Sequence, residues 1–208
     1  METSLPPHGR SDRRLIGGLE PHGRKPHAPG MTKPAPCLET ERLFLRPVGA
    51  ADAAETAELM TLEVARSLST WPFPMSLAQA RAKIEAAEAQ RDAGRAVNFA
   101  IRAKQDERLA GWIGLATVAP GRARLGYWLG TPFQHLGYMR EAAPAALAAA
   151  SRYLRAKLVE AAVQKDNAAS IAILENLGMT LVAEQEERLA WQRKRVICAL
   201  YEWRCPTV

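Results

Sequence analysis

The chain has 208 residues, 48% of them hydrophobic and with a formal net charge of +6, enough for one folded domain with a full core. No window reaches the roughly eighteen consecutive apolar residues that a membrane span needs, which argues against a spanning helix. Three cysteines (Cys37, Cys198, Cys205) without a Cys-x-x-Cys spacing argue against a zinc site or a disulfide frame and fit a reducing, cytoplasmic setting. Half of the net positive charge lies in residues 1–36, and no basic stripe with interleaved aromatics runs through the rest, so nucleic acid is a poor candidate partner.

Residues 1–36 carry Pro6, Pro7, Pro21, Pro26, Pro29, Pro34 and Pro36, a duplicated Pro-His-Gly-Arg, and few large apolar side chains. Too little surface can be buried to offset the entropy of ordering, so a disordered tail is expected, with Met31 at the start of the folding chain. His8, His22 and His27 fall there without ligand spacing. The domain is expected over residues 37–205, with 1–30 as an extension the fold does not use.

The stretch 38–47 alternates from Arg42 to Arg46 and stops at Pro47, which reads as a first strand. Residues 52–60 have helix composition. Trp71-Pro-Phe-Pro74 is a stiff aromatic loop, because two prolines fix φ. Ser76-Leu-Ala-Gln79 is a capping-box pattern opening a helix to about residue 93. Residues 96–103 and 109–118 read as a hairpin, and Gly111 and Gly114 inside the second strand point to a bulge or a close backbone approach. A strand over 123–129 is then broken by Gly130 and Pro132, and an alanine-rich helix is expected from Gly137 to about 158. Pro144 should kink it. A strand over 159–164, an Asn167-capped helix over 168–177 closed by Gly178, and strands over 179–185 and 196–203 complete the chain. This order is not a repeated βαβ pattern and implies a mixed, largely antiparallel sheet with helices packed on it.

The strand–glycine turn–helix segment over 125–142 carries the first functional signal. Unpaired backbone N–H groups at the positive end of a helix dipole suit a phosphate or pyrophosphate.

Four patches in order resemble the GNAT superfamily of N-acetyltransferases, in its RimJ/RimL subgroup of ribosomal-protein N-terminal acetyltransferases. They are Thr40-Glu-Arg-Leu-Phe-Leu-Arg-Pro47 with Trp71-Pro-Phe-Pro74, Gly126-Tyr-Trp-Leu129, Gln134-His-Leu-Gly-Tyr-Met-Arg-Glu-Ala142, and Asn167-Ala-Ala-Ser170 with Leu177-Gly178-Met179. The resemblance implies the GNAT fold, an α/β architecture of the α+β type, with a twisted sheet of six to seven strands and helices on both faces. It implies acetyl-CoA as cosubstrate, its pantetheine arm along Trp128, Leu129 and Gly130, and its pyrophosphate on the loop Gln134, His135, Leu136, Gly137, Tyr138 and Met139. Met139 stands where the motif has a small residue, so its side chain must point elsewhere.

The resemblance also implies direct transfer to an amine, with Ser170 protonating the leaving thiolate. Leu174 occupies the position where many members carry a tyrosine. Capping alone would explain Asn167; a bond to pantetheine is the alternative. Arg124 stands where a glutamate base is common, which leaves Glu184, Glu186, His135 or a water chain as candidates. Trp71 and Phe73 suit either the acceptor mouth or the core, and Cys198 a small core position. The acceptor is expected to be a protein N-terminal α-amine or a small amine such as an antibiotic or polyamine. A catalytically silent acyl-CoA-binding module is the competing reading, and a monomer or homodimer is expected.

Overall fold

A computed structural model describes residues 34–189 and 194–206. The expected disordered tail lies outside the described residues over 1–33. Thirteen elements follow in order. They are β1 (Leu38–Glu39), β2 (Leu43–Pro47), α1 (Ala53–Leu59), α2 (Leu62–Ala65), α3 (Leu77–Asp92), β3 (Ala96–Ala103), β4 (Leu109–Ala119) and β5 (Arg122–Leu129). Then come α4 (Tyr138–Leu154), β6 (Leu158–Gln164), α5 (Ala168–Asn176), β7 (Thr180–Leu189) and β8 (Lys194–Arg204).

The strands make one sheet in the order β1-β2-β3-β4-β5-β6-β8-β7. Every neighbouring pair is antiparallel except β5 with β6. There are eight described strands rather than six to seven, because the expected first strand folds on itself. Thr40 N–H bonds Leu43 C=O at 3.0 Å, and this turn lays Leu38 beside Leu45.

Strand alternation fixes the two faces. Trp112 of β4 donates its indole N–H to Thr56 Oγ1 of α1 at 3.1 Å, so α1 lies on the face of Trp112. On the opposite face Tyr127 of β5 reaches α5, which packs with α4. With both faces covered, Phe99, Ile101 and Ile113 are 0% exposed, and β3 and β4 read as nearly continuous apolar runs.

Local chemistry accounts for most boundaries. Ser76 Oγ accepts from Gln79 N–H while Gln79 Oε1 accepts from Ser76 N–H, so the expected capping box is formed in full. Helix α5 closes with Gly178 N–H on Glu175 C=O and Met179 N–H on Leu174 C=O. Helix α4 runs on through Pro144, whose missing N–H leaves the Arg140 carbonyl without its usual donor. It stops at Leu154 rather than near 158: Arg155 turns left-handed (φ 52°), and Lys157 and Leu158 N–H bond Gly121 C=O and start β6. The last hairpin is longer than its apolar residues suggested, because Glu186 pairs with Arg195 across it, so charge continues the strands where hydrophobicity ends.

Candidate functional site

Among the described residues the sheet opens between β5 and β6. Strands β5 and β6 pair only from Arg122–Leu158 to Arg124–Glu160 and then diverge. Gly130 N–H bonds Ala110 C=O at 2.9 Å, which sets the antiparallel alternation, so the even-numbered residues of β5 exchange hydrogen bonds with β4. The N–H and C=O groups of Tyr127 and Leu129 therefore face the gap. Gln134 Nε2 donates to Leu129 C=O at 3.1 Å and is the one side chain seated on that edge among the described residues. The gap belongs to a cavity of about 1130 Å³ reaching from α3 across β4 and β5 to α5 and β7.

The N-terminus of α4 closes one end. Gly137 is its N-cap at φ 78°, a conformation that costs an L-residue about 1–2 kcal/mol, and it has no side-chain cap. The first bond of the helix is Glu141 N–H to Gly137 C=O, which leaves the N–H groups of Tyr138, Met139 and Arg140 without helical partners. Arg42, in the turn just before β2, holds this turn from behind. Its Nη1 donates to Leu136 C=O at 2.9 Å, its Nε to Glu141 Oε2 at 2.7 Å, and its guanidinium lies 5.1 Å over the Tyr138 ring. Burial would raise the Glu141 carboxyl, but hydrogen bonds from Thr40 and Arg42 outweigh it and hold the group below its ordinary value.

The structure brings together on this cavity Trp128, Leu129, Gln134 and His135, then Gly137, Tyr138 and Met139, and from α5 Asn167 and Ser170. Gly130 and Leu136 lie off it. Gly130 is packed against Leu59, where a Cβ would come within 2.7 Å of Leu59 Cδ2, and the Leu136 side chain is 48% exposed. Met139 turns its side chain into the core at 4% exposure, which is how the turn accommodates it.

Asn167 lines the cavity and caps α5, its Oδ1 accepting from Ser170 N–H at 3.0 Å, while its side-chain NH₂ has no partner among the described residues. Ser170 Oγ has no partner among the described residues. The Tyr127 hydroxyl crosses from β5 to donate to Ser170 C=O at 3.2 Å. Burial pushes this phenol up to about 12, so it remains a donor at neutral pH.

On the α1 face the cavity wall is aromatic. Trp71 stands edge-on to Trp112 and Trp128 at centroid distances of 5.1 and 5.2 Å, and Lys83 Nζ sits 4.9 Å over the Trp71 ring. Burial pushes the Lys83 ammonium down. The buried Trp128 Nε1 has no hydrogen-bond partner among the described residues. Phe73, across a cis bond from Pro74, packs on the core instead of lining the cavity. Between the aromatic wall and Arg124 the floor is bare backbone. A methyl added to Gly126 would meet nothing within 4 Å, whereas one on Gly114 opposite would lie 2.3 Å from Asn98 Oδ1 and 2.6 Å from Val97 C=O. The close approach expected at Gly114 is therefore real.

The acidic candidates separate cleanly. Glu184 pairs with Lys165 and Glu186 with Arg195, both at the surface and off the cavity. Glu187 instead lines it, 3.2 Å from Arg124 Nη1. Sequence reasoning passed over Glu187, Arg42, Tyr127 and Lys83. For Glu187 the register of β7 was the missing signal: alternation puts Gln185 and Glu187 on one face and Glu184 and Glu186 on the other.

The family model described as the acetyltransferase (GNAT) domain matches residues 42–180. Solved structures share the fold. RimL, a ribosomal α-N-protein acetyltransferase in complex with coenzyme A, is 21% identical with a TM-score of 0.71, over 81% of this chain and 98% of its own. The ribosomal-protein-S5-alanine acetyltransferase from Vibrio fischeri is 17% identical with a TM-score of 0.70, over 81% and 96%. The Microcin C7 self-immunity acetyltransferase MccE, in complex with acetyl-CoA and AMP, is 19% identical with a TM-score of 0.70, over 79% and 93%. No curated protein sequence matches the chain.

Proposed function

Since the chain belongs to the GNAT acetyltransferase family, we propose that it moves an acetyl group from acetyl-CoA to a primary amine by direct transfer in a ternary complex. One observation carries this reading: a strand edge left unpaired by the parting of β5 and β6, next to a helix N-terminus with free N–H groups. An extended amide-bearing arm can pair with such an edge as an added strand. A pyrophosphate suits the helix end, since backbone N–H groups and the dipole both favour an anion there. The residues present fit the cosubstrate in kind: two strand-edge residues, three bare amides and the free amide NH₂ of Asn167.

In this reading the loop over 134–139 clasps the pyrophosphate and Tyr127 and Leu129 take the pantetheine amides. The Leu129 N–H helps polarise the thioester carbonyl. The amine nitrogen forms a bond to the carbonyl carbon, the carbon–sulfur bond breaks, and the thiolate takes a proton from Ser170 Oγ. Ser170 recovers it from the nitrogen, which must lose it to become an amide.

The folded domain over 37–205 carries the activity without residues 1–36, as a monomer or homodimer in the cytoplasm; among the described residues no helix is long and apolar enough to cross a membrane. The test is release of free thiol from acetyl-CoA in the presence of an amine panel: short peptides with free N-termini, a polyamine and an aminoglycoside. Amine-dependent release supports the proposal and names the acceptor class. Binding of acetyl-CoA with no amine-dependent release, unchanged by Ser170→Ala, would make the chain a silent acyl-CoA-binding module.

A further inference from the structure

We infer that Glu187 is the carboxylate that receives the acceptor's ammonium group and takes its proton, an assignment that rests on the acetyltransferase reading. The apex of the opening between β5 and β6 is the Arg124–Glu160 pair, where strand pairing ends. Two carboxylates meet Arg124 there. Glu160 is 5% exposed and has both oxygens engaged, Oε1 by Arg124 Nε at 2.8 Å and Oε2 by Arg122 Nη1 at 3.3 Å. Glu187 differs. Its Oε1 takes both Arg124 Nη1 at 3.2 Å and Gln185 Nε2 at 2.6 Å, while its Oε2 has no partner among the described residues. Its side chain is 20% exposed, on the cavity. Two donors thus fix the carboxylate and leave one oxygen free at the apex.

The space beside it is kept open. Residues 124, 126 and 128 of β5 share a face, and Gly126, between Arg124 and the Trp128 wall, leaves room above the strand. Among the described residues, the charged or titratable groups set against Glu187 are Arg124 from β5, which also holds Glu160 of β6, and Cys198 from β8, whose thiol burial pushes up, with Glu187 and Asp166 adding to the effect. Neither Cys198 nor Glu160 is a competing base: one is a buried thiol and the other is fully bonded.

Primary amines reach the enzyme mostly as ammonium ions and cannot attack a carbonyl until one N–H proton leaves. Glu187 Oε2 accepts that proton and passes it to solvent through the cavity. The freed lone pair forms the C–N bond and the C–S bond breaks. The nitrogen's second proton goes to the thiolate by way of Ser170, so the step balances without another reactant. The open space at the apex, floored by glycine and walled by indole, admits a primary amine beside the free oxygen.

The test uses the full-length chain, acetyl-CoA and the amine found in the panel. Glu187→Gln keeps an oxygen for Arg124 and should lower kcat/KM about 100-fold near pH 7, with acetyl-CoA affinity unchanged. The deficit should shrink toward about pH 10, where the amine sheds its proton to water. Glu187→Asp, which withdraws the oxygen by one methylene but keeps the ion pair, should lose about tenfold and recover in the same way, and it serves if Glu187→Gln melts far below the wild type. Glu184→Gln and Glu186→Gln should match the wild type. Wild-type rates in both Glu187 variants, or a loss equal at every pH, would overturn the assignment while leaving the acetyltransferase reading intact. A wild type that releases no thiol with any amine would overturn that reading and this assignment with it.

Discussion

Removing the Asp52 carboxylate should be among the more damaging single changes in this domain outside the apolar core. Asp52 is 0% exposed, yet it carries a charge because four donors surround it. Arg46 grips it with Nη1 at 2.8 Å and Nη2 at 2.7 Å, Arg102 Nη2 lies at 2.8 Å, and Gly49 N–H at 3.0 Å. Asp52→Ala leaves two guanidinium groups and one amide facing a void. Removing one partner of a buried ion pair costs about 3–5 kcal/mol. The lower end applies here, because the Arg46 side chain is 36% exposed and can rehydrate, and Arg102 keeps Glu55. About 3 kcal/mol corresponds to a fall of about 6–12 °C in Tm for a domain of this size.

Acid titration of the same site has a definite sign. Burial would raise the Asp52 carboxyl, but hydrogen bonds from Arg46, Arg102 and Gly49 outweigh it, and the folded value lies below the ordinary one. The stability this charge contributes is present above the unfolded value of about 3.9 and is lost as pH falls through the depressed folded value. The wild-type advantage over Asp52→Asn should be flat from neutrality to about pH 5 and decline below about pH 4. Urea unfolding of both proteins across that range is the measurement. An Asp52→Ala loss under about 1 kcal/mol, or an advantage that widens on acidification, would refute the argument.

Arg42→Ala should leave Tm within about 3 °C, because the Arg42 side chain is 46% exposed and such pairs contribute little to stability. It should weaken acetyl-CoA binding about tenfold by calorimetry, since the loop loses its brace at Leu136 C=O; unchanged affinity would remove the bracing role. Ser170→Ala should cut kcat about 100-fold with acetyl-CoA affinity unaltered, because the α5 cap uses the Ser170 backbone and not its hydroxyl. Gly114→Ala should destabilise by about 1–3 kcal/mol, its methyl meeting backbone at 2.6 Å, whereas Gly126→Ala, with nothing within 4 Å, should fold normally and lose turnover.

Much of the fold was legible because it rests on local rules. The Ser76–Gln79 box, the Asn167 cap and the Gly178 stop each lie within a few residues of the bonds they make. What the sequence hid depends on pairing across the sheet. The break between β1 and β2 follows from a turn bond at Thr40, and the end of α4 from a left-handed Arg155 that no composition marks. The same holds for the cavity. The loop over 134–139 shows in its glycine and helix signals, but Arg42 braces it from 94 residues away, and Glu187 meets Arg124 across 63. Whether Glu184, Glu186 or Glu187 faces inward is a question of register, and one residue of slip reverses the answer.

The Tyr127 hydroxyl bond to Ser170 C=O has a bearing on kinetics. It ties β5 to α5, the helix that follows β6, by a strut that exists before any ligand arrives, so the spacing of these two cavity walls is a property of the resting protein. A ligand then has no strands to pry apart, and its capture is closer to docking into a rigid groove than to induced closure. Discrimination among donors should lie in how long each stays rather than in how fast it enters, and cutting the strut with Tyr127→Phe should trade a fixed slot for a breathing one.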